Sequence, residues 1–240
     1  MNGLYVIPSA LNQKKQLELF EYLKPYLETQ AVKTHKSGWA NVMIGLGLRL
    51  DMMHYNVNIE PFAHLESDDS PKHNIYAYYD KSRAGEPLGQ ITTRMRELIE
   101  NAISIDMSNY DSALVNIYSE NEYVTAHIDD DESSTANKYP VISVNIGGDG
   151  IFGIIPETES TEEIINLTPG TVYAFGINGE NRYAVHRTLP SIPNGFLPEL
   201  RTLTHGIVYA FGSYRISITF RRVMPLGKKM AKSPKIISNP

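Results

Sequence analysis

Residues 139–155 read YPVISVNIGGDGIFGII. Two runs rich in β-forming residues flank a cluster of glycines, Gly147, Gly148 and Gly150, that supplies turn chemistry. The same texture continues in both directions. Upstream lie SALVNIY (112–118) and YVTAHI (123–128). Downstream lie TVYAF (171–175), YAVHRT (183–188), GIVYAF (206–211) and YRISITFRR (214–222), with a further turn at Thr168-Pro169-Gly170. Short β-rich runs that recur every ~8–15 residues predict an antiparallel sandwich or barrel. We find no internal repeat.

The N-terminal part reads differently. Ser9 is the expected N-cap of a helix over ALNQKKQLELFEYL, where Leu11, Leu17, Leu19, Phe20 and Leu23 form the apolar pattern and Pro25 ends or kinks it. A second helix is expected over Gln90–Ile103, with Ile91, Met95, Leu98, Ile99 and Ala102 at helical spacing. Between them, glycines at 38, 45 and 47 and the polar turn SDDSPKHN precede a strand-like IYAYY (75–79). We expect one domain over 1–223, made of an N-terminal substrate-facing part (1–109) and a β-rich core (110–223). A basic, mobile tail follows over 224–240.

A chain of 240 residues suffices for one sizeable core. The absence of cysteine excludes disulfides, thiolate zinc sites, iron–sulfur clusters and a cysteine nucleophile. No signal peptide or membrane segment is legible, so a cytoplasmic location is expected. The net charge of −5 is unevenly spread. Residues 182–240 carry ten basic residues against one acid, Glu199, whereas residues 1–181 carry twelve basic and 26 acidic residues. Overall acidity works against tight non-specific binding to nucleic acid, and the basic C-terminal quarter could face an anionic substrate.

The chemistry concentrates at His127-Ile128-Asp129. On a strand, residues i and i+2 project to one side, so His127 and Asp129 can aim an imidazole and a carboxylate at one point. A further imidazole completes a set of two histidines and one carboxylate. Such a set occupies one face of an octahedral ion and suits non-haem Fe(II) and oxygen chemistry. His186, at an alternating position in YAVHRTL, is the candidate; His205, in LTHGIV, is its rival. The strand Arg215–Arg221 alternates cleanly. Arg215, Ser217, Thr219 and Arg221 share one face, and Ile216, Ile218 and Phe220 share the other. Two guanidiniums on one face can grip a small dicarboxylate through charge-assisted, bidentate hydrogen bonds. Asn116 and Tyr118, again two apart, offer an amide and a phenol to the same ligand.

Taken together, N-x-Y, H-x-D, an acidic pair, the P-V-I-S-V-x-I-G strand, a later histidine and R-x-S-x-T-F-R resemble the AlkB-type Fe(II)- and 2-oxoglutarate-dependent dioxygenases. The resemblance covers roughly residues 110–223 and implies a double-stranded β-helix (jelly-roll) core with the N-terminal helices packed on it. It implies Fe(II) on His127, Asp129 and His186. It implies 2-oxoglutarate, the co-substrate used with O2, on Asn116, Tyr118, Arg215, Ser217 and Arg221. Ser217 stands where the family's closing motif usually has Asn. Asp131 and Glu132 resemble the acidic pair that contacts the base in members acting on nucleobases. The aromatic partner of such a base would come from Trp39, Tyr55, Tyr76, Tyr78 or Tyr79. The activity implied is oxidative demethylation of N-alkylated bases in DNA or RNA, as in alkylation-damage repair, by a monomer acting on single strands without a membrane. Two alternatives remain open: hydroxylation of a protein side chain or small molecule, and a jelly-roll binding module with a vestigial site.

Overall fold

The computed structural model of the chain describes residues 3–30, 32–33, 40–45, 47–51, 58–59, 74–78, 82–83, 86–110, 112–129, 139–190, 196–198, 200–201, 208–209, 214–221 and 236–237. Among them the fold is mainly β, with two helices on a jelly-roll core, as expected. The larger sheet has seven strands. Their order is Leu4–Ile7, Val172–Phe175, Val141–Ile146, Tyr214–Arg221, Ser112–Ser119, Ala40–Gly45 and Val32–Lys33, with antiparallel neighbours throughout. The smaller sheet pairs Glu163–Leu167, Gly150–Ile155 and Val185–Leu189 in that order. The glycine turn quoted above thus carries the chain from one sheet to the other. GIVYAF contributes only Val208–Tyr209, paired with Leu200–Arg201. Of the segment 224–240, the described Ile236–Ile237 pair with Asn58–Ile59.

Strand parity divides the large sheet into an outer apolar face and an inner polar one. Ile216, Ile218 and Phe220 join Leu19, Phe20, Leu23, Met95, Ile99, Val115, Ile117 and Val144 in the main core, so the helices lie on this outer face. Full burial of each such side chain contributes roughly 1.5–3 kcal/mol. Odd-numbered residues of the same strand point inward, toward the smaller sheet. There Val141, Phe152, Ile154, Leu167, Tyr173, Phe175 and Ala184 make a second apolar cluster. All eight residues of Tyr214–Arg221 are buried, which is how an alternating strand comes to lack a solvent face.

The helix boundaries depart from expectation. The first helix spans Gln13–Gln30 and runs through Pro25. Its cap is Asn12, whose Oδ1 accepts from the Lys15 N–H at 3.0 Å. Ser9, by contrast, has a φ of 53°, outside the extended conformation of an N-cap. The second helix starts two residues early, at Leu88, and ends at Ile103. YVTAHI forms no continuous strand. His127 makes an isolated antiparallel bridge to His186, closed by His127 N–H to His186 O at 2.9 Å and His186 N–H to His127 O at 2.8 Å.

Candidate active site

That single bridge brings the two histidines together. In an antiparallel hydrogen-bonded pair both side chains rise on the same side, and here the imidazole centroids are 4.2 Å apart. Asp129, two residues on, turns its carboxylate between them. Its Oδ1 is 3.6 Å from His127 Nε2, and its Oδ2 is 3.5 Å from His186 Nε2. One ligand atom from each residue lies within 4.8 Å of the others. His127 Nδ1 is 2.7 Å from Thr125 O and His186 Nδ1 is 3.3 Å from Ala184 O. A carbonyl only accepts, so each Nδ1 carries the hydrogen and each Nε2 presents its lone pair to the shared point. The donor set therefore fits a divalent ion with open positions.

The charges suit the same purpose. Burial pushes the Asp129 carboxyl up, but the cations beside it, Arg221 first and then Arg182, help hold the group well below the usual carboxylate range. Burial pushes the His186 imidazole down to about 4, against the pull of Asp129. At neutral pH the set is thus one carboxylate with His186 neutral, the form a metal needs. Arg221 Nη2 donates to Asp129 Oδ2 at 2.6 Å, so the second arginine of the closing strand sits on a candidate ligand. Arg182, which no sequence motif singles out, donates from Nη1 to the Asp129 main-chain carbonyl at 2.8 Å. It packs over Gly176, where a Cβ would meet Arg182 Cδ at 2.7 Å. The only sequence signal for Arg182 is its place four residues before His186.

Arg215 lies toward the other end of the same inward strand face. It is fully buried, and its guanidinium carbon lies 4.2 Å from the centroid of the Tyr118 ring. Cross-strand register makes the pair, Arg215 opposite Tyr118 and Ser217 opposite Asn116. Arg215 Nη1 donates to Asn145 Oδ1 at 3.1 Å. Its Nε and Nη2 have no hydrogen-bond partner among the described residues, nor does Asn116 Oδ1. A buried donor left unpaired costs about 1–3 kcal/mol, so these two nitrogens call for acceptors that no described residue supplies. Burial lowers the Arg215 pKa, while Tyr118 and Tyr173 oppose that shift; Arg remains charged. Burial raises the Tyr118 hydroxyl to about 12, which keeps it a neutral hydrogen-bonding group. Tyr173 lies between the two ends: burial raises its pKa, and both Arg215 and Asp129 act on it.

Asp131, Glu132, His205, Trp39, Tyr55 and Tyr79 lie outside the described residues, as do the side chains of Tyr76 and Tyr78. In the sequence Asn145 and Gly150 read as ordinary sheet and turn. Only the packing of Arg215 against both gives them a role.

A family model described as the 2OG-Fe(II) oxygenase superfamily matches residues 3–221. The chain belongs to that superfamily, and it is an Fe(II)- and 2-oxoglutarate-dependent dioxygenase that uses O2. Among solved structures, OsALKBH1 is similar with a TM-score of 0.56 and 16% identity, over 92% of this chain and 96% of that one. An oxidoreductase of the 2OG-Fe(II) oxygenase family from Burkholderia pseudomallei is similar with a TM-score of 0.50 and 12% identity, over 91% and 84%. A Pseudomonas putida prolyl-4-hydroxylase gives 0.46 and 10% identity over 91% of each chain. At these identities the likeness is one of fold, and the fold is AlkB-like. No curated protein matches the sequence. Among the described residues, no helix is long and apolar enough to cross a membrane.

Proposed function

We propose that this dioxygenase is an oxidative demethylase of N-alkylated bases in DNA or RNA. His127, Asp129 and His186 hold Fe(II), and Asn116, Tyr118, Arg215, Ser217 and Arg221 line the 2-oxoglutarate site. The observation that carries the assignment of the site is the meeting of three metal-ligating side chains with the strand that, on the same inward face, holds a buried guanidinium with two donors lacking acceptors among the described residues. When bound, Fe(II) couples O2 and the decarboxylation of 2-oxoglutarate to hydroxylation of a C–H bond. The chain's own residues bind and orient. Arg215 takes the far carboxylate of the co-substrate on its Nε and Nη2. Arg221 keeps Asp129 ionised and in place. The site opens on the side of His127, whose side chain is 39% exposed against 6% for Asp129 and 7% for His186.

The nucleobase reading rests on the ensemble of motifs and on the acidic Asp131 and Glu132 that follow H-x-D in sequence. A methylated base would have to be unstacked to reach the site, which favours a single strand. Hydroxylation of its N-methyl carbon leaves a hemiaminal that releases formaldehyde. A second reading, hydroxylation of a protein side chain or small molecule, is favoured by the net charge of −5, which works against a phosphate backbone. The test measures succinate and formaldehyde from one reaction across a panel of methylated single-stranded oligonucleotides. Formaldehyde in step with succinate supports demethylation. Succinate without formaldehyde across the panel would sink it and leave the second reading.

A further inference from the structure

We propose that Asn145 is a positioning residue for the co-substrate, its amide selecting which edge of the Arg215 guanidinium is left to meet it. The inference rests on the assignment of Arg215 to 2-oxoglutarate made above. Asn145 is fully buried on the inward face of the strand Val141–Ile146. Its Nδ2 points at three main-chain carbonyls, Gly148 O and Leu167 O at 3.0 Å and Thr168 O at 3.2 Å. Carbonyls only accept, so the amide has one orientation, and its Oδ1 must face Arg215 Nη1. That contact occupies one nitrogen of the guanidinium. Tyr118 covers one face of the group. Gly150 lies so close that a Cβ there would meet Arg215 Cδ at 2.8 Å and Nε and Nη1 at 3.0 Å. The edge left over is the Nε–Nη2 pair, two parallel N–H groups spaced for the two oxygens of one carboxylate.

Ser217 gives this arrangement its reason. In register Asn145 stands directly opposite Ser217 on the neighbouring strand, and both lie on the inward face. Ser217 offers only a hydroxyl, which reaches less far than an amide. In this chain an amide sits at the paired position instead, one strand away. Asn145 thus joins three parts of the site: the turn after its own strand, the turn at 167–168, and the arginine.

The test is a swap. Asn145→Ser, and Asn145→Ser combined with Ser217→Asn, are compared with wild type. Glutarate, a dicarboxylate without the keto group, is titrated calorimetrically into the metal-free full chain, and the KM for 2-oxoglutarate and kcat are measured on the Fe(II)-loaded enzyme. Asn145→Ser is expected to weaken glutarate binding and raise KM about tenfold or more, the fold-change carried by one charge-assisted hydrogen bond, with kcat at saturating 2-oxoglutarate unchanged. The double variant is expected to recover most of the loss. Glutarate binding by Asn145→Ser at wild-type strength overturns the proposal. So does a folded double variant that recovers nothing. If Asn145→Ser does not fold, the double variant decides alone: wild-type affinity supports the proposal and weak binding ends it. Arg215→Met serves as the control. Should it bind glutarate as wild type does, Arg215 is not the anchor, and the co-substrate assignment itself falls.

Discussion

Replacing Arg215 by lysine tests the co-substrate site most sharply. With Nη1 held by Asn145, the guanidinium has two donors left, Nε and Nη2. Both suit one carboxylate. Lysine brings a single point charge on a shorter reach and keeps at most one of those hydrogen bonds. Losing one charge-assisted bond costs about 1.5–3 kcal/mol, which is roughly a 10- to 150-fold rise in the dissociation constant. The assay is calorimetric titration of 2-oxoglutarate into protein loaded with Mn(II). Arg215→Met adds a sign that is hard to imitate. Among the described residues this buried cation meets Asn145, Tyr118 and Tyr173 in the ligand-free protein, none of them acidic. Removing its charge should therefore raise the melting temperature of the ligand-free protein. The same variant should lose the further rise that 2-oxoglutarate gives wild type by mass action. The reasoning fails if Arg215→Lys binds 2-oxoglutarate as tightly as wild type, or if Arg215→Met still melts higher when 2-oxoglutarate is added.

Three further outcomes are expected. Arg221→Gln removes the 2.6 Å contact on Asp129 and should weaken metal binding about 10- to 100-fold, as loss of a ligand's hydrogen-bond partner does elsewhere; equal Mn(II) affinity in both proteins would count against it. Gly150→Ala drives a Cβ into Arg215 and should raise the KM for 2-oxoglutarate with little change in metal affinity, so an unaltered KM would show that the guanidinium has room to yield. For the metal-free protein, the His186 pKa of about 4 against 6.5 means that the unfolded chain takes up the proton first. Stability is then complete above about pH 6.5 and falls as the pH drops toward 4, by about 3 kcal/mol for this one group; urea midpoints that do not change between pH 7 and pH 5 would refute the assignment.

Much of this architecture was legible because period-2 alternation is a local property. The strand Arg215–Arg221 shows its two faces in one line of sequence, since side-chain direction on a strand depends only on position. Eight such runs with turn residues between them define a β sandwich or barrel before any pairing is known. The H-x-D pair was legible for the same reason, although the strand invoked for it is in fact a single bridge. The helix start was not, because Ser9 and Asn12 are equally good caps on paper and the backbone chose the second.

Pairing is what the sequence by itself left open. Which histidine faces His127 depends on a bridge between positions 59 residues apart in the chain. Whether the arginine face is wet or dry depends on a second sheet closing over it. Arg182 and Asn145 acquire meaning only from the groups that folding brings to them, Asp129 O and the Arg215 guanidinium. Local composition fixes which way a side chain points. Long-range register decides what it meets, because hydrogen bonds and charges act over a few ångströms in space whatever the separation along the chain.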